Sequence, residues 1–383
     1  MAHDPPEPHD PGLPFSDLFD FITGERWDPS SATLILIGSF LLANYIMINQ
    51  LIAPWVERKV MARQQGRRGP MYVGKWGVLQ IPADLLKLII KEDLRPAGAD
   101  RVGFFISVMI ISVTAILSFA PLPWGSQGLI AGNFSIGILY IFAIFSVFPP
   151  MMMVGGWASN SKYALLGGFR SAGQLIAYEI PMFISVIGIL AVVGSFSLLE
   201  ITEDQMENGW FLFRYWGFGL IAGVIFFVAG YAETERIPFD IPEAEAELVM
   251  GPRTEFTGWR YGLIMMTEYL HLFINSLLFI YLFLGGYDPI PIPLGGVEIF
   301  GNEIISPDFA KGFRTNLGVQ FVTMTAKIYL LVFVAAWFRS ALARFRIDQL
   351  LTLGWKIMLP IALISTLFIL GIDPEVQAFS RRT

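Results

Sequence analysis

Two carboxylates in otherwise apolar stretches are the residues of this sequence best suited to chemistry. Glu179 stands beside Tyr178 and two residues before Pro181, and Glu268 stands three residues before His271. Residues three apart share one face of a helix, so Glu268 and His271 face the same side. A charged side chain at the centre of a bilayer costs about 2.5 kcal/mol or more, so acids kept there usually pair or carry protons. This pattern favours an intramembrane proton or ion path.

Two lysines also lie in apolar stretches. Lys327 is near the middle of its stretch, which leaves two interpretations open: a buried pair with a carboxylate of the fourth or sixth span, or a proton relay. Lys356 is close to the basic end of the last stretch, so we expect its ammonium group to reach the lipid headgroups by snorkelling.

The densest group of charges is the segment 233–260. Its acids are Glu233, Glu235, Asp240, Glu243, Glu245, Glu247 and Glu255, and its bases are Arg236, Arg253 and Arg260. Pro242 suits the first turn of a helix, whose positive end stabilises the glutamates that follow. Glu243 and Glu247 are four residues apart and are expected to titrate as a coupled pair.

Apolar residues alternate with these acids, which predicts a loop folded back into the protein rather than a solvated acidic surface. Ile237, Phe239 and Ile241 are the main ones. The first loop supplies bases in quantity: Arg58, Lys59, Arg63, Arg67 and Arg68. We therefore predict that the two loops form a buried network whose charge state can change.

The composition is that of a membrane protein, with 54% hydrophobic and 15% charged residues among 383. Long uncharged stretches predict eight spans, near residues 33–56, 102–122, 134–158, 171–199, 215–232, 261–287, 315–338 and 351–371. The chain has no Cys, which excludes disulfides and thiolate-held iron–sulfur or zinc sites. The bases concentrate in one place rather than along a face, which argues against nucleic-acid binding.

The predicted fold class is an all-α integral membrane protein with eight transmembrane helices. Most Lys and Arg fall in the odd-numbered connections, so the positive-inside rule places these in the cytoplasm and both termini outside. Residues 1–32 are predicted to be a flexible, acidic, Pro-rich tail. Residues 33–371 form a single membrane domain with cytoplasmic loops at 57–101 and 233–260, and residues 372–383 a short tail. The tail at residues 1–32 lacks targeting features, which favours a bacterial inner membrane.

Inside the first loop, apolar residues recur at helical spacing. Ile81, Leu85, Leu88 and Ile89 alternate with charged residues, and Trp76 precedes them. The pattern predicts an amphipathic helix lying along the cytoplasmic headgroups. The alternative is an ordinary helix packed on its neighbours. An interfacial helix here could form one wall of an entrance for a lipid-soluble substrate.

Seven segments, in this order, carry a family resemblance. They are ERKVMARQQGRRGP (57–70), GVLQIPADLLKLIIKED (77–93), SKYALLGGFRS (161–171), YEIP (178–181), AETERIPFDIPEAEAELVMG (232–251), TEYLH (267–271) and RIDQLLTLGWKIMLP (346–360). Together with eight spans and outside termini, they resemble the subunit 1 family of respiratory complex I, the proton-pumping NADH–quinone oxidoreductase.

The resemblance implies a membrane subunit that joins the peripheral and membrane arms of this translocase. It implies a quinone access tunnel and the start of the proton and charge coupling path. Quinone is the expected substrate, while NADH, FMN and the iron–sulfur clusters are expected on partner subunits, with no cofactor ligated here. The expected partners are the quinone-site subunits of the peripheral arm, neighbouring membrane-arm subunits and membrane lipid.

By resemblance, the residues of the quinone tunnel are Glu57, Arg58, Arg67, Arg236 and Asp240. Those of the proton and charge path are Glu179, Glu233, Glu243, Glu245, Glu247 and Glu268. Lys162 and Arg170 match a short basic third connection. The sequence departs from the family's usual pattern at Met71 and Glu235, where Asn is common, and at Pro252, where an aromatic residue is common.

Two alternatives remain open. One is the anchor subunit of a related membrane-bound hydrogenase or dehydrogenase, some of which do not use quinone; retention of Arg58, Arg67 and the amphipathic helix favours quinone. The other is a free-standing ion-coupled secondary transporter with Glu179, Glu268 and Lys327 as coupling residues. Transporters commonly show repeated halves, and none is visible in this sequence.

Overall fold

Apolar segments fold into helices because an apolar medium leaves the backbone N–H and C=O groups no other partners. In a computed structural model, the residues described are 29–123, 134–215, 217–242, 248–289, 297–299, 302–305 and 316–372. The helices in chain order are α1 (Pro29–Gln64), α2 (Gln80–Ile90), α3 (Arg101–Leu117), α4 (Gly137–Phe145), α5 (Phe148–Ala158), α6 (Lys162–Val193), α7 (Leu198–Asn208), α8 (Phe211–Arg214), α9 (Phe218–Glu233), α10 (Gly258–Phe283), α11 (Leu317–Ala341), α12 (Ile347–Thr352) and α13 (Leu359–Ile372). Short 3₁₀ turns cover Lys75–Gly77 and Gly251–Arg253, and a π-helical turn, Leu353–Met358, joins α12 to α13.

Five helical segments of the described chain are long and apolar enough to cross a membrane. They are Gly137–Ala158, Lys162–Val193, Gly258–Phe283, Gly318–Ala341 and Ile347–Gly371. Arg101–Leu117 and Phe218–Glu233 are apolar but shorter. The chain is therefore a multi-pass helical membrane protein, while the count of eight spans and the side of the termini stay predictions.

The third span is present at Gly137–Ala158 but consists of two helices, α4 and α5, because Pro149 and Pro150 lie in the first turn of α5. Two predicted boundaries were wrong. The fourth span starts nine residues early, so Lys162 and Arg170 lie inside α6 rather than in a connection. Residues 29–32, assigned to the tail, begin α1, which runs on through the expected loop to Gln64.

A short hairpin is the one pair of strands among the described residues. Strand β1 (Val297–Ile299) pairs antiparallel with β2 (Asn302–Ile305), with Glu298 opposite Glu303. No strand was predicted here. The segment lies in the connection between α10 and α11, away from the predicted site residues along the chain.

Helix α10 occupies the centre of the bundle. Most of its side chains between Leu270 and Phe283 are buried, and it packs against α2, α3, α9 and α11. Helix α6 forms a second axis that packs against α5, α9 and α13. Side chains of α6, α9 and α10 therefore meet inside the bundle, which is where the predicted intramembrane acids lie.

The predicted amphipathic helix is confirmed as α2. Its inner side packs on α10, where Leu88 lies against Gly262, and Ile81 is buried. On its other side Ile89 and Ile90 are exposed, at 67% and 82% of their surface. One face of the helix thus packs on its neighbours, and the other exposes apolar residues; its position along the headgroups stays a prediction.

The segment 233–260 folds back into the protein as predicted. Phe239 and Ile241 are buried, and Gly251 follows with a left-handed backbone at φ +53°. Gly167 of α6 lies so close to this turn that a methyl group there would come within 2.6 Å of the Gly251 Cα atom. Glu243, Glu245 and Glu247, the helix predicted after Pro242, residues 1–28 and residues 373–383 lie outside the described residues.

Candidate functional site

Glu57 is the centre of a buried ion cluster at one end of the bundle. Because α1 continues past the expected span, Glu57 lies on its inner face with 1% of its surface exposed. The Arg236 Nη1 and Arg339 Nη1 atoms donate to its two carboxylate oxygens at 2.7 and 2.6 Å. The Arg236 guanidinium also stacks on the Tyr269 ring, 4.2 Å from its centroid. We call these four residues the Glu57 cluster.

The Glu57 carboxylate is held ionised by its neighbours. Burial by itself raises the pKa of the Glu57 carboxyl, but the charges of Arg236 and Arg339 outweigh burial and keep that pKa below its ordinary value. Two guanidinium groups against one carboxylate leave the cluster with a net positive charge. Such a site can attract an electron-rich oxygen atom of a ligand.

A cavity of about 580 Å³ opens between the end of α1 and the turn that follows it, and none of the four residues of the Glu57 cluster lines it. Its basic lining residues are Lys59, Arg63, Arg67 and Arg68, and its aromatic ones are Trp55 and Trp76. The predicted tunnel residue Arg67 therefore lines an open cavity of the size that small-molecule sites have. Arg58 does not line it: Arg58 pairs with Asp84 of α2 at 2.6 Å, in a half-exposed position.

Arg253 is the centre of a second buried cluster, which we call the Arg253 triad. Its Nη2 atom bonds the Glu235 carboxylate at 2.9 Å, and its Nη1 atom pairs with Glu268 of α10. The hydroxyl of Ser171 donates to the other oxygen of Glu235. The Arg253 side chain is fully buried, so this ion pair is shielded from solvent. The triad ties α6, the 233–260 segment and α10 together.

Glu179 of α6 and Glu233 of α9 form a third group, the Glu179–Glu233 pair. Both line a small cavity of about 10 Å³ together with His271, which is about the space of one water site. The Asn275 side chain donates to the Glu233 carboxylate at 3.3 Å. Within the residues that the structure describes, neither acid forms an ion pair. Glu233 is buried and Glu179 is partly buried. Two such carboxylates at one cavity, without a cation, cannot both be ionised cheaply, so they are suited to sharing a proton.

The three groups begin at four consecutive residues, 233–236. Glu233 enters the Glu179–Glu233 pair, Glu235 enters the Arg253 triad, and Arg236 enters the Glu57 cluster. Backbone direction changes sharply here, because Glu235 adopts a left-handed conformation at φ +50°. The side chains of Glu233, Glu235 and Arg236 therefore point to three different clusters.

A comparison with known families bears on this arrangement. The family model described as NADH dehydrogenase matches residues 37–370, nearly the whole membrane domain. The chain belongs to the NADH dehydrogenase family. This is the subunit 1 family of complex I, as the sequence segments indicated, and the chain is therefore a membrane subunit of an NADH dehydrogenase complex.

In this complex I subunit, the predicted pairing between the two loops needs correction. Among the described residues, the ion pairs that join the loops are Glu57 with Arg236 and Asp93 with Arg260, so the first loop supplies the acids. Two bases of the first loop have partners within that loop: Arg58 pairs with Asp84, and the Lys59 ammonium donates to the Pro70 carbonyl at 2.6 Å.

Asp240, predicted at the tunnel, is buried and pairs instead with the loop after α11. Its carboxylate lies 3.0 Å from the Arg344 Nη2 atom. Phe345, the next residue, packs its ring against Phe239. Asp240 thus ties the acidic segment to the loop between α11 and α12.

Several polar residues of the clusters were missed from sequence. They are Arg253, Arg339, Ser171, Tyr269 and Asn275. Arg253 could have been predicted, because an arginine in a segment with seven acids and buried apolar residues is expected to pair with a carboxylate. Arg339 could not be predicted in this way, since 282 residues separate it from Glu57.

Lys327 does not form the ion pair with a carboxylate of the fourth or sixth span that was one of its two interpretations from sequence. Its ammonium donates to the backbone carbonyls of Leu284, Gly286 and Asp288 at 2.6, 3.0 and 2.6 Å. The Trp210 ring covers it, with 4.4 Å between Nζ and the ring centroid. The glycine-containing turn after α10 folds back, and its backbone carbonyls accept the hydrogen bonds of the Lys327 ammonium group. Lys356 is exposed on the π-helical turn, as its snorkelling interpretation requires.

Proposed function

We propose that this subunit forms the wall of a quinone access tunnel and the beginning of a proton and charge coupling path in a proton-pumping NADH–quinone oxidoreductase. The observation that carries the proposal is that Glu233, Glu235 and Arg236, within four consecutive residues, each belong to a different one of the three clusters. Ionisable groups inside a membrane protein are rare and costly, and a connected series of them is the usual mark of a proton or ion path.

The entrance is the basic cavity beside α1. Its tryptophans offer flat apolar surface to a quinone ring, and Arg67 offers hydrogen-bond donors to a quinone oxygen. Helix α2 keeps an uncovered apolar face at Leu86, Ile89 and Ile90, which suits contact with lipid. A lipid-soluble substrate would pass from the membrane along α2 toward the Glu57 cluster.

The coupling step follows from electrostatics. Reduction of a quinone consumes protons and changes the charge near the Glu57 cluster. Buried charges respond strongly to such a change because little water screens them. The response passes through Glu235 and Arg253 to Glu268, and through Glu233 to the Glu179–Glu233 pair, where a proton can be taken up or released.

The electron carriers fit better on partner subunits. The chain has no Cys to hold an iron–sulfur cluster, and NADH and FMN are assigned with the clusters to those partners. The partners proposed are the quinone-site subunits of the peripheral arm, which face the basic end, and neighbouring membrane-arm subunits. We place the complex in a bacterial inner membrane with the termini of this chain on the outer side.

A comparison of two electron acceptors tests the tunnel. In the native complex, Arg67→Ala is expected to slow NADH oxidation by quinone about tenfold, because a donor in the cavity is lost. Oxidation by an artificial acceptor that draws electrons from the peripheral arm should stay unchanged. Arg95→Ala, an exposed base of the same loop outside the cavity lining, is the matched control.

Equal losses with both acceptors would mean failed assembly rather than a tunnel role, and an unchanged quinone rate would refute the tunnel assignment of Arg67. If the wild-type complex itself showed no quinone dependence, the hydrogenase-type relative would replace the proposal.

A further inference from the structure

The acids of the proposed path fall into two electrostatic classes. Glu268 faces a buried guanidinium, that of Arg253, whereas Glu179 and Glu233 face each other across a small cavity and form no ion pair within the described part of the chain. These acids can therefore have different roles within the same proposed proton path. An acid with a fixed counter-ion differs chemically from an acid whose nearest charged neighbour is another acid.

The charge of the Arg253 triad adds up to one negative charge. Arg253 contributes one positive charge, and Glu235 and Glu268 contribute one negative charge each. The Arg253 side chain is fully buried and that of Glu235 is 1% exposed, so removal of the Arg253 charge would leave the triad with two negative charges in a low-dielectric site. The hydroxyl of Ser171 adds a donor to Glu235 and fixes its orientation.

Glu235 and Arg253 are 18 residues apart in the sequence and meet in the fold, where the guanidinium of Arg253 bonds the Glu235 carboxylate at 2.9 Å. The Glu235 carboxylate is thus balanced by a base within hydrogen-bond distance.

We propose that the Glu235–Arg253 pair holds Glu268 as a permanent anion and leaves Glu233, with Glu179, as the acids that gain and lose the proton. Arg253 is then a positioning residue for the coupling path. This inference rests on the proposed function, because it assigns roles within the proton path.

A charge-balance cycle in the native complex tests the inference. The variants are Arg253→Gln, Glu235→Gln and the two together, which change the triad's net charge to −2, 0 and back to −1. Quinone-dependent proton translocation is expected to fall about tenfold in Arg253→Gln and equally in the double variant, because Glu268 loses its counter-ion in both. It is expected to stay within about threefold of wild type in Glu235→Gln, because Arg253 still pairs with Glu268 there.

The amount of assembled complex should follow the same order. Arg260→Gln is the matched control, since Arg260 lies in the same segment and pairs with Asp93 at 3.1 Å outside the three clusters. A double variant restored to wild-type translocation would overturn the inference, because Glu268 would then need no guanidinium to do its part. If the wild-type complex lacks quinone-dependent translocation, the proposed function fails instead.

A second measurement assigns the proton without using activity. Quinone reduction in the complex should produce an infrared difference band from a carboxyl group that changes protonation. This band is expected to disappear in Glu233→Gln and to persist in Glu268→Gln, both of which keep the side-chain shape. Loss of the band in Glu268→Gln, with retention in Glu233→Gln, would reverse the assignment and overturn the inference.

Discussion

Replacing Glu57 by Gln removes one negative charge from between two guanidinium groups and keeps the side-chain shape. The Glu57 and Arg236 side chains are 2% and 4% exposed, and their atoms lie 2.7 Å apart. Arg339 approaches the other carboxylate oxygen at 2.6 Å with 31% of its side chain exposed. The variant therefore leaves one guanidinium fully buried and a second partly buried without their shared anion.

The size of the effect follows from burial. Breaking a buried ion pair by removing one partner destabilises a protein by about 3–5 kcal/mol, because the remaining charge is uncompensated. Water screens part of the Arg339 charge, so we expect a loss near the lower end, about 3 kcal/mol. A neighbouring pair gives the contrast: Arg58 and Asp84 lie 2.6 Å apart but are 41% and 36% exposed. Such an exposed pair contributes about 0–1 kcal/mol.

The assay is the temperature at which half of the purified complex loses its assembled state in a fixed heating time, since large assemblies unfold irreversibly. Glu57→Gln should lower this temperature clearly, and Asp84→Asn, which breaks the exposed pair, should leave it nearly unchanged. Equal shifts in the two variants would refute the reasoning that burial, rather than the short distance, sets the contribution of the Glu57 cluster.

Three further outcomes are expected. The pKa of Glu57 is lowered in the folded protein, so the stabilisation from Glu57 is present above its ordinary pKa of 4.5 and is lost as the pH falls through the lower folded value. The difference in heat stability between wild type and Glu57→Gln should therefore become smaller in acid. A difference that does not depend on pH would contradict this. Lys327→Met should reduce heat stability, because three carbonyls lose a charged donor. Proton translocation per assembled complex should be unchanged. Normal assembly with lost translocation would instead support the proton-relay interpretation of Lys327. Gly251→Ala should abolish assembly, because φ is +53° and a methyl group would collide with the Pro242 carbonyl; a normal yield of complex would show that the turn can move.

The sequence predicted what depends on apolar length and on local spacing. The amphipathic helix α2, the apolar segments and the folded-back acidic segment follow from patterns of a few residues, and the structure contains each of them. The helix bounds were less predictable. Lys162 and Arg170 were assigned to a loop because they are charged, yet a helix can carry charged residues on its first turns where it leaves the apolar layer.

The clusters depend on contacts between distant parts of the chain, which local patterns do not encode. Glu57 could be selected as an unusual acid, but its second partner, Arg339, is brought to it by the packing of α11 against α1. For Lys327 the sequence left two interpretations open, a pair with a carboxylate of the fourth or sixth span and a proton relay. The fold instead presents it with backbone carbonyls from the turn after α10, a partner type that no side-chain pattern reveals.

The central claim is that buried acids of this subunit couple quinone reduction to proton movement. The most direct test follows NADH oxidation and the pH gradient together in sealed vesicles that hold the native complex, with and without quinone, for wild type and Glu233→Gln. The account predicts quinone-dependent oxidation with acidification on the side away from the cytoplasm in wild type, and a fully assembled Glu233→Gln complex that has lost the gradient. A Glu233→Gln complex with the wild-type number of protons moved per NADH would contradict it.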